Sequence, residues 1–69
     1  MVNIGKLRGK VVEKGYSIRR LAESIGIDQS TLYRQFENDG KNMSLRVAES
    51  IKQTLPLTRE EAMEIFFSQ

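Results

Sequence analysis

The chain has 69 residues, with eleven Lys and Arg against nine Asp and Glu, and it contains neither cysteine nor histidine. This length is near the lower limit for one hydrophobic core and predicts a single domain, residues 1–69. Without cysteine and histidine the chain lacks thiolate and imidazole metal ligands and the commonest general base, so we expect no metal, no cofactor and no enzymatic activity.

Charge is unevenly distributed along the chain. Residues 1–46 hold nine basic and five acidic side chains, whereas residues 47–69 hold two and four. A basic part followed by an acidic part favours a protein that binds phosphate on one side. No apolar run approaches the roughly 20 residues of a membrane span, and the N-terminus lacks the apolar stretch of a signal peptide. We therefore expect a soluble, cytoplasmic protein without a membrane partner.

The first predicted helix spans residues 1–14. Ile4, Leu7 and Val11 recur at helical spacing and form one apolar stripe. Gly15 is expected to end this helix. Tertiary packing of the stripe must hold the helix in place, because its interior glycines lower its helix propensity.

The stretch SIRRLAESIGIDQSTLYRQF, residues 17–36, predicts two short amphipathic helices joined at a glycine. Ser17 fits the N-cap of the first helix, and Gly26 fits the left-handed residue at its end. Asp28 can then cap the second helix. One face of the first helix carries the apolar residues Ile18, Leu21, Ala22 and Ile25.

The second of these helices has one apolar and one polar face. Leu32 and Phe36, four residues apart, are expected to dock on the first helix. Gln29 lies at the helix tip, and Ser30 and Arg34 point away from the apolar face. This pattern is typical of a helix that reads the DNA major groove, because Gln pairs bidentately with adenine and Arg with guanine.

A fourth helix is predicted after the turn-forming run ENDGKN. Ser44 can cap it, and Pro56 disfavours its continuation. Its apolar stripe is expected to comprise Leu45, Val47, Ala48, Ile51 and Leu55.

Thr58 and Glu61 match a capping box and predict a last helix over residues 59–67. Three of its apolar side chains are expected to face the core and two to remain partly outside. The first three are Ala62, Ile65 and Phe66, and the other two are Met63 and Phe67. No segment has strand periodicity, so the predicted fold class is all-α, with five short helices.

The run GIDQSTLYRQFENDG resembles the turn and recognition helix of the lambda-repressor/Cro-type helix-turn-helix proteins of phages. The opening KLRGKVVEKG and the closing LTREEAMEIFF are similar to the ends of small phage regulators from Gram-positive hosts. The resemblance implies a lambda-repressor-like domain that binds a double-stranded DNA operator and represses transcription without a cofactor or small-molecule ligand. The expected base-contacting residues are Gln29, Ser30, Thr31 and Arg34.

Phosphate contacts, which position a protein without carrying sequence information, are expected around this motif. Many members of the family place a phosphate-contacting Gln at the first position of the leading helix, where this chain has Ile18, so Ser17 or Arg19 would have to supply that contact. In the family, the segment after the recognition helix follows the DNA backbone. The candidates are Ser17, Arg19, Tyr33, Asn38, Lys41 and Asn42, with Lys6 and Arg8 as weaker ones.

A homodimer on DNA is expected, because a lone recognition helix covers only a few base pairs. Exposed apolar clusters usually mark a contact. The interface is therefore expected at or near Met63, Phe66 and Phe67. The alternative is that both phenylalanines fold back over the fourth helix and complete the core.

Two other functions stay open. STLYRQF also resembles the recognition helix of tetracycline-repressor-type regulators, whose large ligand-binding domain has no counterpart in these 69 residues. Glu37 and Asp39, close to the polar face, would suit a protein-binding module such as an antirepressor or a degenerate helix-turn-helix. Salt dependence separates DNA binding from an apolar protein contact.

Overall fold

Five α-helices and one short 3-10 turn contain most of residues 2–67, the part of the chain that the computed structural model describes. None of these residues lies in a β-strand. The predicted all-α class with five helices is therefore confirmed. In chain order the elements are α1 (Ile4–Glu13), α2 (Ile18–Ile25), α3 (Gln29–Phe36), the 3-10 turn Asn38–Gly40, α4 (Leu45–Thr54) and α5 (Arg59–Phe66).

Side chains cap the starts of the helices, where backbone amides have no partner within the helix. Ser17, Asp28 and Ser44 each accept a hydrogen bond of 3.1 Å from a backbone amide two or three residues later. At α5 the Thr58 hydroxyl accepts from the amide of Glu61 at 3.1 Å, and the Glu61 carboxylate accepts from the amide of Thr58 at 2.8 Å. The four predicted caps are confirmed.

The start of α1 differs from the prediction. The helix begins at Ile4 because the side chain of Asn3 accepts a hydrogen bond from the amide of Lys6 and acts as the N-cap. The amide of Asn3 donates to the carbonyl oxygen of Ile65 at 2.7 Å. This bond fastens the start of the chain to the last turn of α5 and satisfies a carbonyl that a helix end leaves free. Met1 lies outside the described residues.

One apolar core draws on all five helices. α2 packs against both α3 and α4, and α1 packs against α5. Burying a leucine, isoleucine or phenylalanine side chain stabilises a fold by about 1.5–3 kcal/mol, so these contacts supply most of the favourable free energy. The buried apolar residues are Ile4, Leu7, Val11, Leu21, Ala22, Leu32, Phe36, Val47, Ile51, Leu55 and Ile65.

Leu45 was predicted in the core, and this prediction is wrong. Its side chain is 78% exposed. The buried side of α4 runs through Val47 and Ile51, and with 3.6 residues per turn Leu45 lies about 120° around the helix from Ile51. Ala48 is only half-buried. The start of α4 therefore presents apolar surface to its surroundings.

The turn after α3 is packed tightly against α1. Asn38, Asp39 and Gly40 all have left-handed backbone, with φ of 55°, 60° and 78°. Asn and Asp tolerate this conformation better than other residues with side chains. Gly40 is buried, and a Cβ added there would lie 2.6 Å from Cγ1 of Ile4. The path of the chain from α3 to α4 is thus fixed by a close backbone approach.

Candidate nucleic-acid interface

The connection between α2 and α3 determines where α3 begins. Gly26 has a left-handed backbone, with φ of 77°, which the absence of a side chain permits. Its amide donates to the carbonyl of Glu23 at 3.3 Å, and the amide of Ile27 donates to that of Ala22 at 3.0 Å. This pair of hydrogen bonds ends α2, and Asp28 caps α3 directly afterwards. The predicted conformation of Gly26 is confirmed.

The two faces of α3 differ as the sequence predicted. Leu32 and Phe36 are buried, whereas Gln29, Ser30 and Arg34 are exposed. Thr31 is half-buried at the flank, and Tyr33, on the other flank, is 44% exposed. The four expected base-contacting residues thus occupy the first six positions of one helix, and three of them are open to an incoming partner.

Ser30 is already engaged within the chain. Its hydroxyl donates a hydrogen bond to the Asp28 carboxylate, which also accepts from the amide of Ser30 at 3.1 Å. These bonds hold the pKa of Asp28 below its usual range, with a smaller contribution from the positive charge of Arg34. Because the hydroxyl proton is used, Ser30 offers a base edge an acceptor rather than a donor.

The expected phosphate-contacting residues at the start of α2 differ in the contacts that they already make within the chain. Ser17 Oγ accepts from the amide of Arg20, so its hydroxyl proton remains available for a phosphate oxygen. Arg20 donates to the carbonyl of Gly15 at 3.2 Å, and its guanidinium lies 5.6 Å from the centre of the Tyr16 ring. Arg19 is exposed and has no salt bridge among the described residues. Of the two arginines, Arg19 is therefore the more available to contact a phosphate.

The expected phosphate-contacting residues that follow α3 lie in the left-handed turn and just beyond it. Asn38, Lys41 and Asn42 are all exposed. The turn is held from both sides, because Gly40 packs on α1 and the Gln35 side chain accepts a hydrogen bond from the amide of Ser44 at 2.7 Å. No local pattern pointed to Gln35, since its partner lies nine residues away across an irregular segment.

Ion pairs divide the basic side chains into two groups. On one side of α1, Lys6 lies 2.6 Å from Glu64, and Lys10 and Lys14 lie 2.6 and 3.6 Å from Glu61. No arginine within residues 2–67 is in a salt bridge. The lysines of α1 are therefore matched by acidic residues, while the arginines, whose planar guanidinium suits phosphate and guanine, are left to contact other groups.

The lysines of α1 lower the pKa values of two carboxyl groups on α5. The hydrogen bond from Lys10, followed by that from the amide of Thr58, lowers the pKa of Glu61 from 4.5 to about 2. The hydrogen bond from Lys6 lowers the pKa of Glu64 as well. In return, Glu61 and then Glu13 raise the pKa of Lys10. These charges hold α5 against α1 and make Lys6 a poor phosphate ligand.

An apolar groove of roughly 250 Å³ lies between the start of α4 and the end of α5. Leu45 and Phe67, which is 63% exposed, line it together with the half-buried Phe66. Phe66 packs against the core. Met63 is 51% exposed on α5 without lining the groove. Glu49 and Lys52, which are among the lining residues, bring both signs of charge to this groove.

Residues 2–67 contain no cluster of three or more acidic side chains that could hold a metal ion. No helix in the same range has the length and apolar character needed to cross a bilayer. Protein-family models, curated protein sequences and solved structures give no match to this chain.

Proposed function

We propose that this chain is a sequence-specific, double-stranded DNA-binding transcriptional regulator of the Cro/repressor type, of phage or mobile-element origin. The observation that carries this proposal is the polar face of α3. On this face Gln29, Ser30 and Arg34 are exposed. Leu32 and Phe36 anchor the same helix in the core. The left-handed turn at Gly26 and the resemblance of this stretch to phage helix-turn-helix proteins support it further.

In the proposed complex α3 lies in the major groove and α2 crosses the DNA backbone. Gln29 pairs with an adenine and Arg34 with a guanine, each through two hydrogen bonds. Ser30 accepts a hydrogen bond from the amino group of adenine or cytosine, because its own proton is held by Asp28. The methyl group of Thr31 contacts a thymine methyl group. Repression by occlusion of a promoter then requires no cofactor.

Contacts to the sugar-phosphate backbone fix the register of α3 in the groove. At the start of α2, the hydroxyl of Ser17 and the guanidinium of Arg19 are both available. Tyr33 supplies a phenolic hydroxyl from the flank of α3. The segment after α3 supplies the exposed side chains of Asn38, Lys41 and Asn42.

The proposed regulator binds as a homodimer, with a second copy of the chain seated on the groove beside α5. Leu45 and Phe67 line the groove and are mostly exposed, so each copy offers both apolar side chains and a place to receive them. A two-fold interface brings the same surface together from both copies. Glu49 and Lys52, which line this surface and lie 3.8 Å apart within one chain, can then exchange partners across the two-fold axis. Phe66, Phe67 and Met63 form the α5 part of the interface.

A protein-binding module is the second candidate function. Glu37 and Asp39 are exposed, and neither is in a salt bridge among the described residues. These two carboxylates repel phosphate close to the proposed DNA face, which favours a basic protein partner there over DNA.

A salt series with a labelled random-sequence duplex tests the proposal against this alternative. Each phosphate contact adds about −0.9 to the slope of log K against log salt concentration, so DNA binding should weaken steeply as salt rises. Fluorescence anisotropy at several salt concentrations gives this slope directly. Absence of duplex binding at low salt would contradict the proposed function and leave the protein-binding module as the better account.

A further inference from the structure

Arg8 is the one cation of α1 that points away from the acidic residues of α5. Lys6, Lys10 and Lys14 all approach Glu64 or Glu61, whereas Arg8 forms no salt bridge within the described part of the chain. Its side chain is exposed. The helix therefore has a neutralised side and a side with one unmatched positive charge.

That unmatched charge lies where α1 meets both helices of the proposed DNA-binding unit. The Arg8 guanidinium lies over the ring of Phe36, the last residue of α3, 5.4 Å from its centre. Arg8 also borders a shallow pocket of roughly 90 Å³ that is lined by Ser17 and Ile18 at the start of α2. Arg8 thus sits between two segments that carry proposed phosphate contacts, namely the start of α2 and the turn after α3.

The chemistry of this position suits a phosphate. A guanidinium stacked on an aromatic ring keeps its N–H edge free and loses little conformational freedom when it binds an anion. Ile18, beside it, offers a DNA backbone no side-chain donor. Because Arg8 is weakly hydrated and already oriented, it can bind two phosphate oxygens at once.

We propose that Arg8 of α1 is an additional phosphate-binding residue, which extends the DNA contact from the helix pair α2 and α3 to the first helix. This inference rests on the proposed function. It predicts that the first helix adds affinity on every duplex, because a phosphate contact carries no sequence information.

The test is the salt slope of duplex binding for Arg8→Gln, measured by anisotropy beside the wild type and Arg59→Gln. The control removes an identical charge from the first residue of α5, the helix that carries Glu60, Glu61 and Glu64. Arg8→Gln should reduce the magnitude of the slope by about one and make the loss of affinity between roughly 50 and 200 mM salt about three- to fourfold smaller. Arg59→Gln should keep the wild-type slope.

Arg8→Lys separates phosphate binding from a purely structural role of the stack on Phe36. It keeps the charge but lacks the planar group, so the slope should stay close to that of the wild type even where circular dichroism shows a lower melting temperature. If both Arg8 variants melt earlier and both keep the wild-type slope, Arg8 only packs on Phe36 and the inference is wrong, while DNA binding stands. If the wild type shows no salt-dependent duplex binding, the proposed function and this inference both fall.

Discussion

At the scale of single residues, the glycines differ in what they do. Gly26 has φ of 77° but a Cβ added there would meet nothing within 4 Å, so only its backbone conformation resists substitution. Gly40 has φ of 78° and in addition lies against the side chain of Ile4. Gly9 lies inside α1 with open space around it. These three positions therefore separate conformational from steric requirements.

Alanine substitution at each of the three should give three different results. Gly9→Ala should raise stability by up to about 1 kcal/mol, because alanine favours a helix. Gly26→Ala should lower stability by roughly 1–2 kcal/mol, the cost of a left-handed residue with a side chain. Gly40→Ala should lower stability further, since Ile4 must also move. Urea unfolding followed by circular dichroism measures all three, and equal stability of Gly26→Ala and the wild type would contradict the assigned turn.

Arg34 is the residue on which the proposed base recognition depends most. Arg34→Ala should cost about 1–3 kcal/mol of binding free energy on the specific site, because two hydrogen bonds to one guanine are lost. Non-specific binding should change much less. Titration of the specific and a scrambled duplex with each protein measures the difference.

Arg19→Ala is the matched control for that experiment, since it removes an exposed arginine from α2. Because Arg19 is proposed to contact phosphate, Arg19→Ala should weaken binding to both duplexes by a similar factor. If Arg34→Ala also weakens both equally, Arg34 binds phosphate and the assignment of base contacts to α3 is wrong.

At the scale of elements, α5 is attached to the rest of the chain mainly at its first turn and its end. Glu61 accepts hydrogen bonds from Thr58 within α5 and from Lys10 of α1, so one carboxylate both caps the helix and holds it in place. At the other end the carbonyl of Ile65 accepts from the amide of Asn3. The side chain of Ile65 is itself buried in the core.

Acid should weaken the attachment of α5 to α1 through Glu61 within a defined pH range. The pKa of Glu61 is about 2 in the folded chain against an ordinary value of 4.5. Its contribution to stability is therefore fully present above about pH 4.5 and is lost as the pH falls towards 2. Glu61→Gln keeps a capping-box side chain but removes the charge. It should melt earlier than the wild type at neutral pH, and the difference should shrink as the pH falls and vanish below about pH 2.

Glu60→Gln is the control for the acid experiment, because Glu60 lies in the same first turn and is in no salt bridge among the described residues. It should show the same acid dependence as the wild type. A Glu61→Gln protein whose melting temperature follows that of the wild type from neutral pH down to pH 2 would show that the pair with Lys10 does not stabilise the fold.

Local signals in the sequence predicted most of this architecture. Ser17, Asp28, Ser44 and Thr58 cap helices because a short polar side chain reaches amides only two or three residues away, and Gly26 reverses the chain by its own conformation. Such features depend on neighbours in sequence and can be derived from it. The same holds for the alternation of exposed and buried residues along α3.

Features that depend on distant partners could not be predicted. The pair of Lys10 and Glu61 joins residues far apart in sequence, and the approach of Gly40 to Ile4 requires the complete fold. Leu45 was misplaced because α4 has more apolar residues than one buried face can hold, and the sequence alone did not determine which of them face inward. The stack of Arg8 on Phe36 could not be predicted either, because it requires α1 to lie against the end of α3.

At the scale of the whole molecule, the apolar groove between α4 and α5 should mediate self-association. Sedimentation velocity over a range of concentrations should show a monomer–dimer equilibrium for the wild type. Phe67→Ser should shift it towards the monomer, because an apolar side chain that is 63% exposed in the single chain would be buried in the dimer. Circular dichroism establishes that the variant remains folded.

Val12→Ser provides the comparison, since Val12 is an apolar residue of α1 that is 74% exposed and lies outside the groove. It should leave the equilibrium unchanged. A wild-type protein that stays monomeric at every concentration and binds DNA without cooperativity would show that the chain does not form this dimer.

The proposal that α3 reads a DNA sequence is tested most directly by selection of bound sites from a pool of random duplex DNA. The wild type should enrich a palindromic consensus with half-sites about one helical turn apart and a guanine in each half that Arg34→Ala no longer selects. A pool that shows no enrichment, or a consensus that stays identical when Gln29 and Arg34 are replaced by alanine, would contradict the claim.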